Sequence, residues 1–112
     1  MERLIIKRAN ARPASGDQAM ALTGVVASGN LEVLIERVLP EHECEVDIHT
    51  PIVGFDKVWE AVVSDFVDDH AVGGLRLSIN DGGARPDTVA LRLAQALRLM
   101  QAPPPPVTGE PS

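Results

Sequence analysis

The chain has 112 residues, 45% of them hydrophobic, a formal charge of −6 and only three aromatic side chains, Phe55, Trp59 and Phe66. A domain of this size buries a modest core but does not enclose a deep active site. An acidic chain so poor in rings also excludes nucleic-acid binding, whether through phosphates or through base stacking. The lone Cys44 rules out an internal disulfide or cysteine metal cluster and points to a reducing cytoplasm.

Leu4-Ile5-Ile6 predicts a first strand, within an amino terminus too short and too charged for a signal peptide. No apolar run approaches the roughly 20 residues of a membrane span, so no membrane insertion is expected. Residues 9–17, with Asn10, Pro13, Ser15 and Gly16, read as a loop. From about Ala19 to Val38 the pattern predicts a β-hairpin broken at Ser28-Gly29-Asn30. Met20, Leu22 and Val26 fall on even positions before the break, and Leu31, Val33 and Ile35 on odd positions after it. Side chains alternate with period two, so a loop with an even number of residues puts both sets on one face. Residues 29–30 or 27–30 both satisfy that parity. The longer loop, preferred here, pairs Leu22 with Ile35 and leaves Ser28 at the tip.

Pro40 turns the chain within Leu39 to His42, because it cannot donate to a ladder. Cys44, Val46 and Ile48 then alternate with Glu45, Asp47 and His49 as a half-buried strand stopped by Pro51. Over Gly54 to His70 the period changes. Phe55, Val58, Trp59, Val62, Val63, Phe66 and Val67 form one helical face, with charged residues mostly on the other. After Gly73-Gly74, Leu75, Leu77 and Ile79 alternate with Arg76, Ser78 and Asn80 as another strand, and Asp81-Gly82-Gly83 makes a loop. A second helix starts near Pro86 and Asp87, with Val89, Leu93, Ala96, Leu97 and Met100 as its buried stripe. Pro103 to Pro106 end it. The expected fold is α+β: a mostly antiparallel sheet of about five strands, hairpin included, with two helices packed on one face. Residues 1–101 form the domain, and 102–112 a disordered proline-rich tail.

Few residues offer chemistry. His42 and Cys44 share a strand face, but Cys44 has the parity of buried Val46 and Ile48, so a buried thiol and solvent histidines are expected rather than a metal site. His70 suits a helix end, and the carboxylates Asp68-Asp69 and Glu41/Glu43 read as solvated faces. Gly82-Gly83 is a tight strand-to-helix turn before it is an anion loop. No Gly-x-Ser-x-Gly elbow occurs, and Ser28 has no His-plus-acid partners at a usual spacing. On its own, Ser28 is a turn serine bonded to its own backbone. It is also a hydroxyl at the tip of a rigid ribbon between small neighbours, a good place to attach something.

The segment Gly24-Val25-Val26-Ala27-Ser28-Gly29-Asn30-Leu31-Glu32-Val33-Leu34-Ile35-Glu36 resembles the modification segment of the malonate decarboxylase acyl carrier (delta) family, and more distantly that of the citrate lyase acyl carrier (gamma) family. A second block, Asn80-Asp81-Gly82-Gly83-Ala84-Arg85-Pro86-Asp87-Thr88-Val89-Ala90-Leu91-Arg92, is similar to the Asp-x-Gly-Ala stretch and following helix of both families. The resemblance spans about Ala19 to Leu99. It implies a non-catalytic carrier subunit with 2′-(5″-triphosphoribosyl)-3′-dephospho-CoA attached to Ser28 through a phosphodiester and bearing acetyl or malonyl as a thioester. The implied partners are the alpha (acyl transferase), beta and gamma (decarboxylase) subunits, a prosthetic-group transferase and a malonyl transferase. Gly29, Asn30, Asp81, Gly83 and Arg92 would support the loop or meet a partner. Family members often have Gly before the serine and Asp two residues after it, where this chain has Ala27 and Asn30. The longer chain and the Glu-Val-Leu-Ile-Glu run favour malonate over citrate. An unmodified interaction domain, and a small enzyme built on Asp81 and the histidines, are the readings from other classes.

Overall fold

The structure is a computed structural model in which residues 2–9, 11–23 and 31–101 are described. The element order is β1 (Glu2–Arg8), β2 (Met20–Thr23), β3 (Leu31–Arg37), β4 (Cys44–Thr50), α1 (Asp56–Asp69), β5 (Leu75–Asp81) and α2 (Pro86–Gln101). The five strands form one sheet in the order β1-β4-β5-β3-β2. Only β4 and β5 run parallel, joined through α1 as parallel neighbours require. The other pairs are antiparallel, giving the α+β fold expected.

The alternating residues of β3, β4 and β5 put Val33, Ile35, Val46, Ile48, Leu77 and Ile79 on a single buried face. Trp59, Val63, Phe66 and Val67 of α1 pack onto it, and so do Val89, Leu93, Ala96, Leu97 and Met100 of α2, every residue of the stripe expected for that helix. Helix α2 lies against β2, β3 and α1. The opposite sheet face mixes charged side chains with exposed apolar ones such as Ile5, Met20 and Leu22. There the Asp47 carboxylate, only 7% exposed, is covered by Arg3, which donates from Nε to Oδ1 at 3.0 Å and from Nη2 to Oδ2 at 2.9 Å. Arg76 lies 3.7 Å and His49 3.4 Å from the same carboxylate.

The hairpin register corrects the expected one. Met20 pairs with Glu36, Ala21 with Ile35, Leu22 with Leu34 and Thr23 with Val33. Leu22 therefore does not oppose Ile35, and this register corresponds to an odd rather than an even number of connecting residues. Ala21 of β2 is buried, while Met20 and Leu22 are 57% and 47% exposed. The reason is packing: α2 crosses this edge strand, and a small inward side chain lets it approach. Residues 24–30, which hold Ser28, Gly29 and Asn30, and the tail from 102 on lie outside the described residues.

Candidate functional site

Leu31 opens β3 directly opposite Asp81, the last residue of β5. β4 runs parallel beside β5 and ends at Thr50, so Leu31, Thr50 and Asp81 share one end of the sheet. Both helices begin at this end, which also receives the two ends of the 24–30 connection.

A buried polar pair holds these pieces together. Thr50, fully buried, donates from Oγ1 to Asp81 Oδ2 at 2.7 Å. Its oxygen accepts the Ile52 N–H at 3.1 Å. Asp81 Oδ1 accepts the N–H groups of Gly83 at 3.0 Å and Ala84 at 2.7 Å. One hub thus ties β4, β5 and the loops leading into both helices, with each buried acceptor satisfied as burial demands. Gly83 adopts φ +104°, which a side chain would strain, and this lets its N–H turn back to the carboxylate. Two donors that an anion loop would offer are therefore already engaged, as the tight-turn reading requires.

Above the hub, between the first turns of the helices, is a cavity of about 240 Å³. Phe55, Val58, Trp59 and Val62 wall it on the α1 side with Ile52 from the preceding loop. Asp81, Gly83, Ala84 and Val89 complete it. Phe55 and Val58, expected in a buried helical stripe, are instead 49% and 40% exposed. The stripe is continuous in sequence, but its first residues line the cavity rather than the closed core. Trp59 is buried at the back of the cavity.

Arg92 is half-buried on α2, where its Nη1 donates to Gln95 Oε1 at 3.2 Å. The structure does not gather the histidines around Asp81. His49 lies on the opposite sheet face beside Asp47, His42 bonds the Ala11 carbonyl at 3.1 Å, and His70 stacks on Phe66 at the far end of α1. Among the described residues no three His, Cys, Asp or Glu side chains come together to hold a metal ion. Burial pushes the Cys44 thiol up to about 11. Glu41, Glu43, Asp68 and Asp69 are exposed. Among the described residues no helix is long and apolar enough to cross a membrane. Thr50 was not singled out from sequence, although its parity with Cys44, Val46 and Ile48 marks a polar residue at a buried position.

Comparison with known proteins places this geometry in a family context. Residues 18–100 match the family described as the malonate decarboxylase delta subunit. The malonate decarboxylase acyl carrier protein of Bradyrhizobium diazoefficiens is 59% identical over 98 residues, covering 88% of this chain and 93% of the relative. That of Xanthomonas axonopodis pv. citri is 50% identical over 101 residues, covering 90% and 96%. A chain in the crystal structure of a Pseudomonas malonate decarboxylase hetero-tetramer in complex with malonate superposes with a TM-score of 0.75 at 32% identity, covering 89% of this chain and 99% of that one.

Proposed function

Because the chain belongs to the malonate decarboxylase delta-subunit family, we propose that it is the acyl carrier subunit of a malonate decarboxylase and catalyses no bond-making step itself. In this reading Ser28 carries 2′-(5″-triphosphoribosyl)-3′-dephospho-CoA, and the small residues around it leave room for the enzyme that attaches the group. The observation that carries the reading is the footing of the Ser28 connection. The family match spans Ser28, and three residues after it Leu31 enters a strand paired on both sides and facing Asp81. The span of an extended chain keeps the serine within roughly 11 Å of Leu31.

When bound, the group supplies a thiol that holds the acyl unit as a thioester, whose carbonyl accepts carbanion charge during decarboxylation. The residues of this chain give that arm a stationary base. The Thr50–Asp81 hub stops the end of the sheet from splaying, which keeps the arm's effective concentration at each partner site high. Gly83 and Ala84 spend their N–H groups on Asp81 and so do not hold phosphates. A chain of charge −6, made more acidic by the group's phosphates, meets basic partner surfaces. Those partners are the alpha, beta and gamma subunits, the malonyl transferase and the prosthetic-group transferase, all in the cytoplasm. The similarity to a chain of a hetero-tetramer supports work within such an assembly. The relatives' names favour malonate over citrate as the system served.

Reconstitution tests the proposal. The modified chain added to the remaining subunits restores malonate-dependent CO2 release, and Ser28→Ala, folded to the same degree by circular dichroism, does not. Full CO2 release with Ser28→Ala overturns it.

A further inference from the structure

The cavity between the first turns of α1 and α2 has no part in the carrier role described so far. It is about 240 Å³, smaller than the roughly 300–1,000 Å³ of pockets that enclose a drug-sized ligand. It therefore suits the end of a chain rather than a whole cofactor. Its walls are the apolar side chains of Ile52, Phe55, Val58, Trp59, Val62 and Val89, and among the described residues Asp81 is its one ionisable group. Phe55 and Val58 stay substantially exposed at its mouth.

Its position indicates what fills it. Asp81 lies in the cavity wall and pairs with Leu31, about 5 Å away between Cα atoms in such a ladder. Leu31 thus lies at the cavity's end of the sheet, and an arm attached three residues before it in sequence starts within roughly 11 Å of Leu31. Charge then selects among acyl ends. An acetyl thioester is uncharged, and its methyl group and sulfur gain from leaving water. A malonyl thioester carries a carboxylate, which would lose its hydration next to the Asp81 carboxylate, whose own partners are all taken.

We propose that this cavity receives the acetyl thioester end of the arm borne by Ser28 and rejects the malonyl end, so that the carrier shelters its resting acyl group and releases the group to be decarboxylated. The inference rests on the attachment at Ser28 proposed above. Val58 and Val62 set the size and polarity of the opening, and Trp59 at the back is a built-in reporter, being the chain's only tryptophan.

The test uses the full-length modified chain bearing free thiol, acetyl or malonyl, its loading verified by intact mass. Trp59 emission shifts in the acetyl form relative to the free-thiol form, and the malonyl form matches the free-thiol form. Hydroxylamine cleaves the acetyl thioester about tenfold faster in Val62→Phe, which fills the cavity, or in Val58→Asp, which charges its mouth, than in the wild type. The malonyl thioester is cleaved at one rate in all three. Urea midpoints confirm that the variants are folded. If Trp59 is blind to acetylation, or both thioesters are cleaved alike in wild type and variants, the shelter is refuted while the carrier role stands. If Trp59 responds only when other subunits are added to the unmodified chain, a partner side chain fills the cavity and the proposal is overturned. A chain without the group in an active complex removes both readings together.

Discussion

Replacing Asp81 by alanine asks whether one buried carboxylate holds the functional end of the sheet. Asp81 is 9% exposed and accepts three hydrogen bonds, from Thr50 Oγ1 and from the Gly83 and Ala84 N–H groups. At about 1 kcal/mol net for each bond, Asp81→Ala costs about 3 kcal/mol. That is a large part of the roughly 5–15 kcal/mol by which domains are stable. At about 4–8 °C per kcal/mol for a domain near this size, Tm falls by roughly 12–24 °C. Asp81→Asn separates shape from charge. Its amide oxygen keeps the two backbone donors, but its NH2 stands where the acceptor of the Thr50 hydroxyl proton was, so that bond is lost and the cost is about 1 kcal/mol. Thr50→Val combined with Asp81→Ala should be less than additive, because both remove the same bond. Urea unfolding followed by the emission of Trp59, buried in the folded chain, reads all of these. A midpoint for Asp81→Ala equal to the wild-type value refutes the hub.

On the opposite sheet face, hydrogen bonds from Arg3 hold the Asp47 carboxyl below the usual carboxylate range, more than offsetting its burial. The resulting stability is fully present above the unfolded value of about 3.9 and is lost as pH falls through the lower folded value. Urea midpoints measured from pH 5 downward should show that acid loss in the wild type and a smaller one in Asp47→Asn. The buried Cys44 thiol, pushed up to about 11, should resist a thiol reagent at pH 8 in the native chain and react rapidly in urea. Fast native labelling would contradict the burial. Gly83→Ala places a Cβ in open space, so its cost is backbone strain at φ +104° alone, about 1–3 kcal/mol by urea unfolding.

Much of this architecture was legible because its elements carry their own period. Every residue of the α2 stripe is buried, β5 alternates as read, and β4 does so except at Asp47. The hairpin register was not legible, because the larger apolar residues of β2, Met20 and Leu22, lie on the open face and Ala21 on the core face. On an edge strand beneath a helix, the room available outweighs hydrophobicity, and only the path of α2 reveals that room. The Asp47 cluster was hidden for a similar reason: alternation points it outward, and its burial comes from Arg3 and Arg76 on other strands. At the candidate site, Asp81 and Gly83 were found through the second block of resemblance. Their partner Thr50 lies 31 residues upstream on a parallel strand, a pairing no local pattern reports. The cavity was missed because the α1 stripe looks uniform from Phe55 to Val67, whereas Phe55 and Val58 stand open beside the cavity and only the later residues close into the core.

Attachment at Ser28 can be read from the intact mass of the chain purified from its own host within an active complex, followed by fragmentation to locate any added group. The expected result is a mass increase equal to the phosphodiester-linked triphosphoribosyl-dephospho-CoA group, carried by the peptide that contains Ser28 and absent from Ser28→Ala. An unmodified chain in a complex that still decarboxylates malonate, or a group carried on another residue, would contradict it.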